Sequence, residues 1–321
     1  MIRTAPGGAA TAYARLPYGQ TFFQNPTGRC SDGLLMIDYI AIAAGLPLLP
    51  PYKNTGADLT RGVNFAVAGA TALPAGALAA RGIVSPATAA SLSVQLDWMS
   101  SYFNSTCFDE SDCTDRLETA LFMVGEIGGN DYNYAIFQGK SMDEVRSMVP
   151  EVVAAILKAA KKVIEFGATR IVIPGNFPIG CFPIYKTAFQ SNIPEAYDEK
   201  QCLKHLNKFA MYHNEELRKG IAELRQEYIY DQIVYGDYYN AFEYVLEVAG
   251  QRGLDTQRAC CGQGGMYNFE MGRMCGAVGV PVCPNPEKYV SWDGVHLTQE
   301  AYKIMAQWLL SDIFANLRCT R

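Results

Sequence analysis

The chain carries three histidines, so the search for a general base is short. His205 and His213 fall inside a long helical pattern. His213 continues an apolar stripe between Ala210 and Leu217 and reads as a helix residue at the core edge, satisfied by a neighbour. His296 is different, because it sits in Ser-Trp-Asp-Gly-Val-His-Leu-Thr, a loop just before the terminal helical pattern. Asp293, three residues earlier, can turn back to accept the Nδ1–H of His296, fix its tautomer and leave Nε2 to take a proton. A bare Asp-x-x-His is more often a turn than a site. Two other segments change that reading. Gly128-Gly129-Asn130-Asp131 follows an apolar run, so the Asn130 amide would project at the end of a strand. The small-residue stretch Asn64–Ala70 offers the backbone N–H of Gly69. An oxyanion hole needs such neutral donors, held ready where negative charge develops.

The elements that must position these residues alternate in type. Leu121–Val124, Ile171–Ile173 and Ile233–Tyr235 are apolar runs ending in Gly- or Asn-rich turns, the pattern of parallel strands buried on both faces. Between them Val152, Ile156, Ala159 and Val163 form a helical stripe closed by Gly167. Leu203, Leu206, Phe209, Ala210, Leu217, Ile221 and Leu224 form a longer one. Thr298 is a good N-cap for a last helix that buries Ala301, Ile304, Met305, Trp308 and Leu309. Strands alternating with helices predict an α/β sandwich, with the site at the carboxyl ends of its strands.

Composition narrows the class. The 321 residues are 49% hydrophobic and 18% charged, ordinary for a globular chain. A net charge of −5 and a pI near 5.4 argue against nucleic-acid partners. No apolar run is long enough to predict a transmembrane span. Ten cysteines are many for a cytosolic enzyme of this size. Cys107 and Cys113 bracket a short polar loop, and Cys260, Cys261, Cys275 and Cys283 crowd one Gly-rich stretch. Without paired CxxC spacing or a nearby His, disulfides are favoured there over a zinc site. Asn104-Ser105-Thr106 adds an N-glycosylation sequon beside Cys107. These features together predict a secreted or vacuolar protein. Residues 1–16, however, contain no apolar signal-peptide core; their composition could pass for a transit peptide, but a loop of a longer protein is the preferred reading.

From about Pro17 onward the chain resembles the plant-type GDSL esterases/lipases of the SGNH hydrolase superfamily. The matching segments are PYGQTFFQNPTGRCSDG (17–33), NFAVAGATAL (64–73), SLSVQLDW (91–98), GGND (128–131), IPGNFPIGC (173–181), ACCGQGGMYNF (259–269), CG (275–276) and SWDGVHLTQEAY (291–302). The resemblance implies that Gly69 and Asn130 are oxyanion-hole donors and that Asp293 and His296 are the catalytic acid and base. It implies a flavodoxin-like parallel sheet in a three-layer α/β/α sandwich, read here as one domain over 1–321 and as a monomer. It further implies hydrolysis or transfer of acyl groups on lipids, phenolic esters, acetylated sugars or small metabolites, with no metal or cofactor.

One departure stands out. Family members open with an apolar strand running into Gly-Asp-Ser, whose serine is the nucleophile, and this chain contains no Gly-Asp-Ser. Gly236-Asp237-Tyr238 puts a phenol where the hydroxyl should be, and Ser31 belongs to a different family segment. Aligned on Pro17-Tyr18-Gly19, Met1 falls just after the expected nucleophile block. The expectation is an N-terminally truncated chain lacking its first, interior strand, with residues 1–16 left as a loop. Such a chain would be poorly stable and inactive as an esterase. The alternatives are a non-catalytic secreted binding protein, or an acyltransferase in the intact form.

Overall fold

Apolar runs with a turn residue at each end become strands here, and each strand pairs in parallel. The computed structural model describes residues 11–317. Its strands are β1 Phe122–Met123, β2 Arg170–Pro174, β3 Gln232–Gly236, β4 Asp255–Ala259 and β5 Tyr289–Ser291. The helices among the described residues are α1 Met36–Ala43, α2 Ala75–Ala80, α3 Leu92–Thr106, α4 Glu110–Thr119, α5 Gly129–Phe137, α6 Met142–Glu165, α7 Pro183–Ala188, α8 Lys204–Glu227, α9 Tyr238–Arg252 and α10 Gln299–Asn316. This is the α/β class that the sequence predicts. None of the described helices is long and apolar enough to cross a membrane. Of the expected loop 1–16, residues 1–10 lie outside the described residues; Ala12–Ala14 form a single 3₁₀ turn.

The chain divides into two compact units. One comprises Phe65–Asn176, Met211–Tyr238 and the described residues from Ser311 on. It holds the sheet β1-β2-β3, in register Phe122↔Ile171 and Ile171↔Ile233. Ile171, Val172 and Ile173 are fully buried, as a strand covered on both faces requires. Helix α6 packs against β2, α3 and α5. It starts in a reciprocal capping box, in which Ser141 and Glu144 each accept from the other's backbone N–H. Its predicted stripe of Val152, Ile156, Ala159 and Val163 is buried, and Gly167, at φ +120°, follows its end. A disulfide joins Cys107 to Cys113 between α3 and α4.

The other unit comprises the described residues up to Asn64, Phe177–Ala210 and Tyr239–Leu310. It contains the parallel pair β4-β5, whose register is interrupted between Asp255 and Ala259. Sequence patterning passes over both strands: Asp-Thr-Gln-Arg-Ala has only Ala259 buried, and β5 is three residues long. Three disulfides lie in this unit: Cys181–Cys202, Cys260–Cys283 and Cys261–Cys275. The first joins cysteines that no sequence clustering had flagged. The last two enclose a buried cluster of Tyr18, Trp292 and their own sulfurs.

Candidate active site

The loop between β5 and α10 carries Asp293 and His296. It is closed by backbone bonds on both sides, Trp292 N–H to His296 O at 2.8 Å and Thr298 N–H to Val290 O at 3.0 Å. Thr298 caps α10, its hydroxyl accepting from Ala301 N–H at 3.2 Å, as its place in the sequence predicts. Gly294 turns the chain between Asp293 and His296. Its φ is +92°, and a Cβ there would lie 2.2 Å from the Phe269 ring, so both backbone and space demand glycine. The Gly294 carbonyl accepts from Ile184 N–H, which ties the turn to α7.

Asp293 is buried and accepts four hydrogen bonds. Oδ1 takes the backbone N–H groups of His296 at 2.7 Å and Val295 at 3.0 Å. Oδ2 takes the His296 ring at Nδ1, 2.7 Å away, and the Tyr18 hydroxyl at 2.8 Å. Burial pushes this carboxyl up, but the charge and hydrogen bonds of His296, helped by Tyr18, hold it below the ordinary carboxylate range. An ionised Asp293 places the imidazole proton on Nδ1 and the lone pair on Nε2, the tautomer of a general base. The His296 side chain is 26% exposed, whereas that of Asp293 is sealed.

The segment that contains Tyr18 braces this loop further along. Ser31 is fully buried and donates to Leu297 O at 3.2 Å, so it braces the histidine loop from inside the protein. Asp32 Oδ1 accepts from Gln299 N–H, the first residue of α10, at 2.7 Å. Gln299 in turn accepts from Leu34 N–H through Oε1 at 2.9 Å.

In the other unit the two predicted oxyanion donors lie on interlocked segments. Asn130 is in the first turn of α5, entered through Gly128 at φ +99°. One N–H of its amide donates to Ala70 O at 3.0 Å. That bond fixes the rotamer and leaves the second N–H of the amide for a ligand. Asp131 is buried and accepts from Ala72 N–H at 2.8 Å and Leu73 N–H at 2.9 Å, while the Tyr134 hydroxyl donates to Gly69 O at 2.7 Å. Three side chains of α5 therefore hold the strip Gly69–Leu73 by its backbone. Gly69 itself has φ +79°, and its N–H donates to no backbone or side-chain group among the described residues.

Sequence reasoning named Gly69, Asn130, Asp293 and His296 but missed Tyr18, Asp131, Tyr134 and Asp32. Asp131 and Tyr134 follow Asn130 at spacings that put them on the same turn of helix, which is the signal that could have found them. The other histidines serve the framework. His213 is buried with Nδ1 2.7 Å from the Tyr132 hydroxyl, and burial pushes it down to about 4, so it is neutral at ordinary pH. His205 stacks edge-on to Phe189. All six cysteines singled out from the sequence are in disulfides, and no cluster of His, Cys, Asp or Glu suited to a metal ion occurs among the described residues.

Known proteins resemble this chain over most of its length. Residues 8–309 match the family model of the GDSL-like lipase/acylhydrolases. The chain is 53% identical over 259 residues to GDSL esterase/lipase At5g03980 of Arabidopsis thaliana, covering 81% of this chain and 80% of that protein. It is 46% identical over 303 residues to GDSL esterase/lipase At1g28580 of the same plant, covering 93% and 78%. It is also 42% identical over 324 residues to acetylajmalan esterase of Rauvolfia serpentina, covering 100% and 83%. With most of its length matched at such identity, the chain belongs to the GDSL lipase/acylhydrolase family, whose members hydrolyse ester bonds.

Proposed function

We propose that the chain forms one hydrolase domain built for serine-type attack on small carboxylic esters. A serine hydroxyl would attack the ester carbonyl while His296 Nε2 takes its proton, and Asp293 would hold the resulting imidazolium. The Gly69 N–H and the Asn130 amide would stabilise the tetrahedral oxyanion. The proton then passes from His296 to the leaving alcohol, and water hydrolyses the acyl-enzyme by the same route. The observation that carries this reading is the 2.7 Å bond between Asp293 Oδ2 and His296 Nδ1 on a partly exposed imidazole. The name of the Rauvolfia relative points to an acetyl ester, so short acyl esters are the substrates to try first.

The same reading makes the nucleophile a serine that these 321 residues do not supply, because no Gly-Asp-Ser occurs among them and Ser31 is sealed. A polypeptide of these 321 residues alone is expected to show no esterase turnover above background. Four disulfides and an exposed Asn104 sequon at the end of α3 support maturation in an oxidising, secretory route and action as a secreted or vacuolar glycoprotein. Hydrolysis of p-nitrophenyl acetate tests the proposal, using the chain alone and the chain extended upstream by a strand ending in Gly-Asp-Ser. The expected result is background rate for the first, clear turnover for the second, and loss of that turnover in His296→Ala. Full activity in the unextended chain, or an extended His296→Ala enzyme as fast as its parent, would overturn it.

A further inference from the structure

The bond from Tyr18 to Asp293 joins residues 275 positions apart, and nothing in the reaction outlined above uses it. Tyr18 is only 1% exposed. Its ring stands edge-on to Trp292, with centroids 6.0 Å apart, and edge-on to Tyr13, at 5.0 Å. Tyr13 in turn stands edge-on to the His296 ring at 5.7 Å. The disulfides Cys260–Cys283 and Cys261–Cys275 wall in the same cluster. The phenol thus has almost no freedom to leave Asp293. Burial, then the Asp293 charge, then Tyr13 and Cys30, the other titratable groups facing it, keep its proton in place, so it acts as a permanent donor.

We propose that Tyr18 is a positioning residue for the Asp293–His296 pair. Its hydroxyl occupies a lone pair of the same oxygen that receives the imidazole, which fixes the plane of the carboxylate and tempers the basicity it lends to His296. Donors shared on one carboxylate oxygen compete for the same electron density, so withdrawing one strengthens the bond to the other. Tyr18, Ser31 and Asp32 then form one support for the histidine loop, with Tyr18 setting proton affinity and the other two setting position.

The inference rests on reading Asp293 and His296 as the catalytic pair, but its test needs no turnover. The three imidazole Cε1–H signals of the 321-residue chain can be assigned by His→Gln variants and titrated by NMR. Tyr18→Phe, which keeps the ring, should raise the His296 midpoint by about half a pH unit, roughly threefold in proton affinity, and leave His205 in place. In an Asp293→Asn background the same substitution should move nothing. A His296 midpoint unmoved by Tyr18→Phe, or a shift that persists without the Asp293 charge, would overturn the proposal. Should Tyr18→Phe fail to fold, 3-fluorotyrosine at position 18 supplies a stronger donor and must move the midpoint down; no movement sinks the idea. Loss of the catalytic reading shows elsewhere, as an Asp293→Asn variant whose own His296 midpoint stays at the parental value.

Discussion

Asp131 and Asp293 are both buried carboxylates, one in each unit, yet they lie on opposite sides of the ordinary range. Asp131 receives two backbone N–H groups and faces no cation, and burial raises it from 3.8 to about 6. Asp293 is at least as buried but receives four donors, one of them an imidazole, and is held low. Desolvation acts on both in the same direction; the number and charge of the donors decide which form survives. The difference follows the tasks. In the reaction proposed above Asp293 must steady an imidazolium and so needs its charge at working pH, whereas Asp131, which clasps a backbone strip, needs only acceptors.

Removing the Asp131 side chain should cost most. Asp131→Ala leaves Ala72 and Leu73 N–H buried without partners, a loss of about 4 kcal/mol in unfolding free energy by urea titration. A loss under about 1 kcal/mol would mean that Asn130 and Tyr134 hold the strip unaided. Next comes the covalent wall of the other unit. Opening the Cys261–Cys275 loop with a paired Cys→Ser variant should lower stability by about 3 kcal/mol in the same assay. A smaller but more pointed effect lies in pH. Asp131, raised in the folded state, contributes stability that is full below pH 3.8 and lost as pH rises through about 6. Asp293, depressed in the folded state, contributes stability present above 3.8 and lost as pH falls through its lowered value. Asp131→Asn should therefore abolish the first trend and keep the second. Relative to this variant, the parent should lose about 2 kcal/mol between pH 4 and pH 7. Parallel profiles for the two proteins would show that Asp131 does not titrate as described.

What the sequence made legible followed short-range rules. The apolar runs of β2 and β3 announce themselves because the buried middle of a strand covered on both faces takes apolar residues, and α6 because its stripe and capping box are local. Asp293 and His296 were legible as a pair because they stand three positions apart, and Gly69 and Asn130 because their segments resemble a family. β4 escaped because four of its five residues are not buried, so its polar string carries no strand period. Tyr18 escaped for a different reason. A tyrosine that meets an aspartate 275 residues away leaves no trace in either neighbourhood, since the pairing exists only once β5 and the Tyr18 segment have come together. Lys186 is similar: fully buried, bonded to Gln257 and pushed down to about 8 by burial, it looks in sequence like any surface lysine.

The adjacent cysteines at the end of β4 have a consequence for biosynthesis. Cys260 and Cys261 bond to Cys283 and Cys275, so exchanging the two partners would cross-link the same dipeptide through thiols one position off. The chain bends at Cys260, just past β4, and there the consecutive N–H groups of Cys260 and Cys261 are both pinned to the partner segment, at Ser291 O and Trp292 O. Which thiol meets which is therefore decided by how the backbone pairs, not by proximity. Native pairing is therefore favoured in a chain whose thiols oxidise, or exchange, after those backbone bonds have formed.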